Sequence, residues 1–519
     1  MAEEIELKLA LAARDTQRFL RHPLLRQAAT HTSATLDNIY YDTPDLALQR
    51  RGIALRLRRQ GRQWLQTVKL AGTVAAGLAS RPEWETPYVG QFDFSAIDDD
   101  KLRVWLQRPR LVAGLAPVFH TRFRRRAWRF AVPHAGNDAN ASAVLLTLDR
   151  GHIRAGEREE AISEIELELA GAPPQAMFDL ALPLAERIPL APLTHSKAER
   201  GYRLFQNTPE QPAKAPAIAL SGELPPAEAC RRIALACIDH LLRNREGAIV
   251  GADPEYIHQM RVAMRRLHAA LRLFSPVLPA SFPETLKILV KPWMAHLGQL
   301  RDLDVLHVEI VAPVRDALPD EPRLAALAEI IVRRRQQARA ATQALLQSAA
   351  FGHGILQALQ TLYRPLPDAV PPPPTVDHPP PATSLAAFAT QRLRRLNRQL
   401  LRRAGAARED DPAALHALRI AGKRLRYALE FFAPLTAGRK SNGKDAGLRQ
   451  LIRLQNTLGQ LNDLAQAGAL LAECAGDEPP LREAVTLIGG WHGPRYAARR
   501  ATLPATLRRL THMRPPRLR

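Results

Sequence analysis

Cysteine is scarce in this chain of 519 residues, and no long uninterrupted apolar run occurs in it. Of the three cysteines, Cys230 and Cys237 lie seven residues apart on a predicted helix, which separates them by about 10 Å and excludes a disulfide. Cys474 stands alone, so the sequence predicts neither a disulfide framework nor a zinc site. A membrane span would need about 18 apolar residues, and the opening Met-Ala-Glu-Glu lacks the basic and apolar stretches of a signal peptide. We therefore expect a cytoplasmic protein with no membrane partner.

Aromatic residues make up only 5% of the sequence, whereas lysine and arginine outnumber aspartate and glutamate by 73 to 51. The net charge of +22 indicates an acidic partner, such as a nucleic acid, an anionic membrane or polyphosphate. Proteins that bind single-stranded nucleic acid usually stack its bases on aromatic side chains. The shortage of aromatic residues therefore makes nucleic acid a weaker candidate than polyphosphate.

Proline marks two breaks in the periodicity of the chain. Pro209, Pro212 and Pro216 interrupt it first, and runs of consecutive prolines between residues 365 and 384 interrupt it again. A hydrophobic content of 46% supports folded cores, and the length predicts two or three domains. We predict a first domain at 1–205, a linker at 206–222, a helical domain at 223–510 and a basic tail at 511–519. The helical domain contains two copies, at about 223–362 and 385–510, which a proline-rich connection at 363–384 separates.

The two predicted domains differ in the period of their apolar residues. The first domain alternates in short segments that predict strands near 4–9, 38–42, 53–59, 63–70, 81–86, 119–131, 143–154 and 162–169. Helical interruptions are predicted at Asp15–Arg21, Ala96–Gln107 and Ala176–Leu184, and hairpin connections at Gly72–Ser80 and Pro133–Ala141. Eight strands are enough to close a barrel. From Pro225 onward the pattern is helical, so the predicted class is α+β.

Period two sorts the strand residues into one apolar face and one charged face. Glu4, Glu6 and Lys8 share the charged face of the first strand. The same alternation groups Arg56 with Arg58, Glu83 with Glu85, Arg122 with Arg124 and Arg126, and Glu164 with Glu166 and Glu168. One charged face is usually solvated, but helices over the apolar face of a closed sheet would turn the charged face inward. Unpaired charges in a dry core are very unfavourable, so we predict a water-filled lumen whose acids and bases pair or bind ligands.

This combination of charges suits the hydrolysis of a phosphate chain. Arginine and lysine bind phosphate oxygens, while clustered carboxylates hold hard divalent cations, so we expect Mg²⁺ or Mn²⁺ to bridge substrate and acids. One metal can neutralise phosphoryl charge and a second can activate the attacking water. The sequence has no Gly-rich Walker loop and no convincing Ser/His/Asp set, which disfavours covalent catalysis.

Charged motifs follow one another in a fixed order along the first domain. They are Glu4-x-Glu6-x-Lys8, Tyr41-Asp-Thr, Arg56-x-Arg58, Lys69, Arg81-x-Glu83-x-Glu85, Arg122-x-Arg124, Asp149, Glu164-x-Glu166 and Ser196-Lys197. This ordered set resembles the CYTH domain, the family of triphosphate tunnel metalloenzymes. The resemblance implies an eight-stranded antiparallel tunnel with flanking helices that binds triphosphate compounds together with a divalent metal.

The CYTH resemblance also implies roles for single residues. It implies phosphate binding by Lys8, Arg56, Arg58, Lys69, Arg81, Arg122, Arg124 and Lys197. It implies metal binding by Glu4, Glu6, Asp149, Glu164 and Glu166. The candidate catalytic residues are Glu4, Glu6, Lys8, Glu83 and Glu85. Alternation leaves open whether Glu83 and Glu85 hold metal or orient a basic neighbour.

Two copies of one basic helix lie in the second domain, beginning at His258 and at His416. Each copy aligns basic residues on one face and apolar residues on the other. The sequences Leu297-Gly-Gln-Leu-Arg-Asp-Leu303 and Leu458-Gly-Gln-Leu-Asn-Asp-Leu464 follow the two helices, so a whole helical unit was duplicated. A single basic face is often only solvated, but the duplication favours a dedicated polyanion surface.

This duplicated unit resembles the CHAD domain, an all-α pair of pseudo-symmetric four-helix bundles seen in polyphosphate-binding proteins. The resemblance implies polyphosphate contacts at His258, Arg261, Arg265, Arg266, His416, Arg419, Lys423, Arg424 and Arg426. Each histidine could instead be satisfied by the backbone at its own helix start. Metal ligation by these histidines is disfavoured, because no cysteine or second histidine lies nearby at ligand spacing.

The leading hypothesis is a metal-dependent inorganic triphosphatase in the first domain with polyphosphate binding in the second, as in the bacterial CYTH-CHAD inorganic triphosphatases that the chain resembles. One alternative is a class IV-type adenylate cyclase, for which the sequence shows no adenine-recognition feature. Another is a non-catalytic protein that its basic helices hold on polyphosphate or nucleic acid. Under the leading hypothesis the partners are inorganic triphosphate and polyphosphate, and the protein associates with polyphosphate granules.

Overall fold

The computed structural model describes residues 2–70, 72–132, 142–364, 384–408, 411–436 and 446–510, without the side chains of residues 2–4, 73–75, 79–81, 412, 446–448 and 509. The predicted connection Pro133–Ala141, most of the proline-rich connection 363–384 and the basic tail 511–519 lie outside the described residues. The chain divides into two compact units. The first unit comprises Met1–Ala213, Ile238–Gly251 and Leu345–Arg364, and the second unit comprises Lys214–Cys237, Ala252–Ala344 and Pro365–Arg519. No single cut along the sequence reproduces this division.

All the described strands lie in the first unit, and helices occur in both. The strands are β1 (Ala2–Leu11), β2 (Thr30–Asp42), β3 (Ile53–Gln60), β4 (Gln63–Leu70), β5 (Thr73–Ala75), β6 (Leu78–Pro87), β7 (Ala116–Ala131), β8 (Ala143–Ala155), β9 (Arg158–Ala170) and β10 (Leu190–Pro192). The described α-helices are α1 (Thr16–Leu20), α2 (Asp100–Leu106), α3 (Pro109–Ala113), α4 (Gln175–Ala185), α5 (Lys197–Gln206), α6 (Pro226–Arg243), α7 (Arg245–Val250), α8 (Glu255–Phe274), α9 (Ser281–Val305), α10 (Ala312–Ala317), α11 (Pro322–Leu346), α12 (Ala349–Tyr363), α13 (Leu385–Ala406), α14 (Pro412–Phe431), α15 (Ala446–Ala475), α16 (Pro479–Ala501) and α17 (Leu503–Leu510).

Eight of these strands form a closed ring. The hydrogen-bonded order is β1-β9-β8-β7-β2-β3-β4-β6, and β6 pairs back onto β1. All of these pairings are antiparallel. Two short strands lie outside the ring, because β5 pairs only with β6 and β10 pairs only with β1. Each of the eight predicted strands lies in the ring, and the predicted α+β class is confirmed.

Alternating side chains explain which face of the ring is apolar. On β3, Leu55 is fully buried on one face, while Arg56 lies on the other. Leu167 of β9 lies opposite Leu7 of β1 and Leu146 of β8, and all three leucines are fully buried. Because burial of a leucine side chain contributes about 1.5–3 kcal/mol, this apolar face fixes the register of the strands and leaves the charged face for the interior.

Helix α5 fills one part of the interior of the ring. Tyr202 of α5 packs in a buried cluster with Phe119 and Phe123 of β7 and Ile153 of β8. Gly201 lies so close to Phe119 that a Cβ atom at this position would stand 2.2 Å from the phenyl ring. The interior is therefore divided into an apolar part beside α5 and a polar part, which corrects the uniformly charged lumen expected from the sequence.

The second unit consists of helices and turns throughout its described residues. Its two copied basic helices, α8 and α14, pack against each other. Phe274 at the end of α8 stacks on Phe388 of α13 at a centroid distance of 5.0 Å and meets Phe432 edge-on at 5.9 Å. The predicted helical region is confirmed, and its division into two four-helix bundles stays a prediction. Within the described part of the chain, no helix combines the length and hydropathy that a bilayer span requires.

We predict that Gly201→Ala destabilises the first unit. The added methyl group would overlap the Phe119 ring, and overpacking of this kind costs about 1–3 kcal/mol. Urea unfolding of the full chain measures the change. Gly468→Ala is the matched control, because a Cβ atom there meets nothing within 4 Å and alanine is favoured over glycine in helices by about 1 kcal/mol. An unchanged unfolding free energy for Gly201→Ala would contradict the packing of α5 inside the ring.

Candidate functional site

A cavity of about 560 Å³ lies in the polar part of the ring. Side chains from β1, β2, β3, β4, β6, β7 and β9 line it, together with the first turn of α5. Its charged lining residues are Glu6, Lys8, Arg56, Arg58, Lys69, Glu83, Glu85, Arg125, Glu166, Glu168 and Lys197. Acidic and basic residues that are far apart in sequence thus share one enclosed space.

Strand register brings Lys8 to Glu166. The two residues are direct partners across β1 and β9, and Lys8 Nζ lies 2.8 Å from Glu166 Oε1. Glu6 lies two residues earlier on the same face, and its Oε2 is 2.6 Å from Lys8 Nζ. All three residues are buried, so these ion pairs are shielded from bulk water.

Asp149, Glu164 and Glu166 form a compact acidic triad. One ligand oxygen from each residue lies within 4.8 Å of the others, and all three residues are buried. Lys197 Nζ lies 2.7 Å from Asp149 and 3.0 Å from Glu166, and it also contacts Glu164. The ammonium group thus stands among oxygen donors that suit a hard divalent cation.

The capped start of α5 fixes the position of Lys197. The Ser196 side chain accepts the Glu199 N–H at 3.2 Å, and the Glu199 carboxylate accepts the Ser196 N–H at 2.7 Å. Arg200, almost one turn after Lys197, donates to Glu164 at 3.1 Å. Arg200 was not predicted from the sequence, although its spacing of three residues from Lys197 on one helix could have indicated it.

Ionic partners set the charge states in this part of the cavity. Burial alone would raise the pKa of the Glu166 carboxyl, but Lys197, Lys8 and Arg125 outweigh burial and hold the pKa well below its usual value. Burial alone would lower the pKa of Lys197, but the surrounding carboxylates raise it above its usual value. Glu166 is therefore ionised and Lys197 protonated at neutral pH, so neither must change its protonation state to bind metal or phosphate.

Strand β7 contributes Arg125 to the cavity. Arg125 donates to Asp149 at 2.7 Å, and its guanidinium lies 5.7 Å from the Phe123 ring. Arg122 and Arg124, which sequence analysis places in the lumen, are exposed on the opposite face of the strand, and this is a correction. The physical reason is that α5 packs against the inner face of β7. Apolar side chains such as Phe123 therefore lie on that face, and the arginines at the alternate positions face outward.

The side of the cavity formed by β3, β4 and β6 is basic. Arg56 of β3 and Lys69 of β4 both lie beside Glu83 of β6, at 3.5 and 2.8 Å. Arg58 donates to Asn38 at 2.9 Å, and burial with Arg56 nearby lowers the pKa of Arg58 to about 10. The contacts of Glu83 favour a role in orienting basic neighbours.

Glu85 also lines the cavity, where it accepts a hydrogen bond from Thr67 at 3.0 Å. Glu4 and Arg81 belong to β1 and β6, but their side chains lie outside the described residues. Sequence analysis also passed over Asn38, which is buried and holds Arg58 in place. A polar residue between two apolar ones on the same face of β2 is the signal that could have indicated it.

A second cavity, of about 1020 Å³, lies in the second unit. His258, Arg261 and Arg265 of α8 line it, together with Asp302 and Asp463 of the repeated Leu-Gly-Gln-Leu sequences. Burial and the neighbouring arginines lower the pKa of His258, so its ring is neutral at pH 7. The cavity wall therefore receives its positive charge from arginine.

Basic residues of both helical copies converge beside this cavity, and we call Arg261, Arg265, Arg419 and Lys423 the four-cation cluster. Burial, followed by Arg419 and Arg265, lowers the pKa of Lys423 to about 8. Burial, with Arg265 nearby, likewise lowers the pKa of Arg419. Among the described residues, no hydrogen-bond partner reaches the buried Nε atoms of Arg265 and Arg419. Arg261 pairs with Asp302 at 3.4 Å, so the cluster is only partly neutralised. Neighbouring cations with unpaired donor atoms are typical of a site for an external anion.

The other predicted residues of the two helices lie apart from the four-cation cluster. Arg266 donates to Glu430 at 3.0 Å, and Arg426 donates to the same carboxylate at 2.6 Å. Burial and two neighbouring arginines lower the pKa of Arg424. His416 is exposed, three residues before Arg419 on α14. An internal ion pair thus engages Arg266 and Arg426 and joins the two helical copies.

Two family models match the chain. Residues 2–202 match the CYTH domain, and residues 232–472 match the CHAD domain. The chain carries a CYTH domain followed by a CHAD domain. The family resemblance found in the sequence is therefore confirmed for both domains.

Two relatives of these domains are similar to parts of the chain. An inorganic triphosphatase of Haemophilus influenzae is 33% identical over 204 residues, which are 39% of this chain and 55% of that relative. The match thus spans about half the length of this curated relative. The CHAD domain from the plant Ricinus communis is 34% identical and covers 60% of this chain and 100% of its own, with a TM-score of 0.50.

The CHAD sequence contributes to both structural units. Its match begins at residue 232, whereas the unit that holds the CYTH ring also includes Ile238–Gly251 and Leu345–Arg364. Two helical segments of the CHAD sequence thus belong to the same compact unit as the CYTH strands.

We predict that Arg125→Met strongly destabilises the CYTH domain. Asp149 and Glu166 would stay buried with one cation fewer, and removing one partner of a buried ion pair costs about 3–5 kcal/mol. Thermal unfolding of the full chain measures the loss. Arg124→Met removes the adjacent exposed arginine and is the matched control, with no expected shift of the midpoint. Equal shifts for the two variants would contradict the inward orientation of Arg125.

Proposed function

We propose that the CYTH domain is a metal-dependent triphosphatase that hydrolyses inorganic triphosphate. The observation that carries the proposal is the enclosure of the acidic triad, Asp149, Glu164 and Glu166, with buried lysine and arginine side chains. Such a site can accept a phosphate chain and the divalent ion that accompanies it. The relative from Haemophilus influenzae, which is named inorganic triphosphatase, supports the same substrate.

In this proposal the basic side chains of the cavity bind the phosphate chain. The phosphate-binding residues are Lys8, Arg56, Arg58, Lys69, Arg125 and Lys197. Arg125 replaces the exposed Arg122 and Arg124 in this role. Lys8 and Lys197 are already desolvated by burial, so they exchange carboxylate partners for phosphate oxygens without a further loss of hydration. Charge-assisted hydrogen bonds of this kind are among the strongest in proteins.

The acidic triad would hold Mg²⁺ or Mn²⁺, with Glu6 close by. Three carboxylate oxygen donors within 4.8 Å of one another fit a hard divalent ion, and the Lys197 ammonium already occupies the place of a cation among them. When bound, the ion neutralises charge on the phosphoryl oxygens. Lys197 contacts the same oxygens, and with a divalent ion bound there it would be available to donate to the substrate anion.

The proposed reaction is direct attack of water on a terminal phosphorus. A new P–O bond forms to the water oxygen, the anhydride P–O bond breaks, and orthophosphate and pyrophosphate are the products. The described lining of the cavity contains no cysteine or histidine nucleophile, and Ser196 is engaged as the cap of α5. These features favour a single displacement over a covalent intermediate.

We predict that the full-length protein releases phosphate from triphosphate with Mg²⁺ or Mn²⁺, and that Glu6→Gln lowers kcat/KM by about 10²-fold. Glu6 holds Lys8 at 2.6 Å and faces the same cavity, so its charge is needed beside the phosphate chain. Glu157→Gln, in the exposed turn between β8 and β9, is the matched control and should keep full activity. Absence of phosphate release, or full activity of Glu6→Gln, would refute the proposal, and cyclic AMP from ATP would favour an adenylate cyclase.

We further propose that the CHAD domain binds polyphosphate at the four-cation cluster, which would bring the protein to polyphosphate granules. The supporting observations are the proximity of Arg419 and Lys423 of α14 to Arg265 of α8, the lowered pKa of Lys423 and the buried guanidinium nitrogens without acceptors among the described residues. A bound polyanion would supply the missing acceptors and relieve the repulsion among the four cations. The described lining of this cavity contains no phenylalanine, tyrosine or tryptophan on which a base could stack.

We predict that polyphosphate affinity falls about tenfold between about pH 7 and about pH 9, because Lys423, whose pKa is about 8, loses its proton over this range. The polyanion binds the protonated form, so binding near pH 8 takes up a proton. Calorimetry in two buffers at fixed ionic strength measures both effects. Lys423→Met should weaken binding and remove the pH dependence, and Lys291→Met, at an exposed position of α9, is the matched control. Unchanged affinity in Lys423→Met, or tighter binding of single-stranded RNA, would contradict this site.

A further inference from the structure

The backbone of Lys8 is held on both sides. Its N–H donates to the Gly77 carbonyl at 3.0 Å, and its carbonyl accepts the Leu193 N–H at 2.9 Å. Lys8 lies at the junction where β1 stops pairing with β6 and begins to pair with β10. Two neighbouring segments, the turn before β6 and the end of β10, therefore fix the position of the Lys8 backbone.

Asp239 of α6 holds the first of these segments. The turn Ala76-Gly77 has two residues in the left-handed region, with φ of 55° and 84°, and such a conformation is unfavourable for alanine. The Ala76 N–H donates to Asp239 Oδ1 at 3.1 Å, and Asp239 is itself buried and paired with Arg243 at 2.7 Å. A buried carboxylate thus stabilises the strained turn whose carbonyl binds the Lys8 N–H.

Helix α12 holds the second segment. It packs on β10 and on α4, where Tyr363 stacks on Phe178 at a centroid distance of 5.9 Å. Gly352 lies directly on β10, because a Cβ atom there would stand 1.8 Å from the Leu190 carbonyl oxygen. The turn and β10 also touch each other, since a Cβ atom on Gly77 would stand 2.6 Å from Pro192 Cβ. Any displacement of β10 is therefore transmitted to both backbone partners of Lys8.

We propose that Asp239 and Gly352 are positioning residues of the CYTH active site, which act through the Ala76-Gly77 turn and β10 to place the Lys8 ammonium between Glu6 and Glu166. Both residues belong to the CHAD sequence, yet they lie in the same compact unit as the ring. The CYTH site is thus completed by two segments that follow it in the chain. This inference rests on the proposed function of Lys8 as a phosphate ligand.

Steady-state kinetics of the full-length protein test the inference. Asp239→Ala should raise the KM for triphosphate about tenfold with little change in kcat. The reason is that Lys8 binds phosphate but its backbone is no longer held in position. Asp239→Asn, which keeps an oxygen acceptor for the Ala76 N–H, should restore most of the affinity. Gly352→Ala should raise KM in the same direction, and Gly468→Ala, with nothing within 4 Å of its Cβ position, should leave KM unchanged.

A double-mutant cycle with Lys8→Met separates positioning from general loss of structure. If Asp239 acts through Lys8, then Asp239→Ala adds little to the defect of Lys8→Met. The inference would be overturned if the KM increase of the double mutant equals the product of the two single-mutant increases. A wild-type KM in Asp239→Ala would also overturn it.

Hydrogen exchange distinguishes this inference from the proposed function. The Lys8 amide should exchange faster in Asp239→Ala than in the wild type or in Gly468→Ala, whether or not the protein hydrolyses triphosphate. If the wild-type protein does not hydrolyse triphosphate but the Lys8 amide still exchanges faster in Asp239→Ala, the positioning role stands and the proposed triphosphatase function is refuted. Unchanged exchange would refute the positioning role even if the enzyme is active.

Discussion

Ionised carboxylates are unfavourable inside a protein unless cations or hydrogen-bond donors lie beside them, and the ring of the CYTH domain meets this condition with its own side chains. Glu166 is the centre of the arrangement, because Lys8, Arg125 and Lys197 all contact it. The three cations come from β1, β7 and α5, so the charged group also ties together three parts of the fold. Glu166, Lys8 and Lys197 are buried in this closed ring, which makes their contacts stronger than they would be at the surface. The same burial prepares the site for an anionic substrate and its metal ion.

In the CHAD domain the pKa of a partly buried lysine is shifted in the opposite direction. In the tunnel, carboxylates raise the pKa of Lys197 above its usual value, whereas in the helical domain, burial and neighbouring arginines lower the pKa of Lys423 to about 8. The interior of the ring is thus neutralised by its own side chains, which in the proposed function exchange partners with the substrate. Among the described residues, the buried Nε atoms of Arg265 and Arg419 lack acceptors that an external polyanion can supply. Both arrangements follow from burial, and they differ in how completely the bases are paired, although Asp302 lies 3.4 Å from Arg261 in the four-cation cluster.

Much of the fold followed from the sequence, because period two in the strands and the duplicated helix are properties of single segments. Alternation also places Lys8 and Glu166 on the same face, and the register of β1 and β9 then pairs them directly. Alternation failed on β7, where α5 buries the inner face, so Arg125 was missed and Arg122 and Arg124 were misplaced. It equally could not indicate that Arg266 and Arg426 share Glu430, or that Asp239 belongs to the unit that holds the ring. These features depend on tertiary contacts between distant segments, which the periodicity of a single segment does not determine.

The central claim is that the internal ion pairs of the tunnel are exchangeable partners for phosphate and metal. A crystal structure with Mn²⁺ and an imido-bridged triphosphate analogue, with the metal located by its anomalous signal, tests this claim most directly. The account predicts Mn²⁺ among Asp149, Glu164 and Glu166, and the Lys8 and Lys197 ammonium groups within hydrogen-bond distance of phosphate oxygens. An analogue bound outside the ring at Arg122 and Arg124, with the pairs of Glu166 intact, would contradict it.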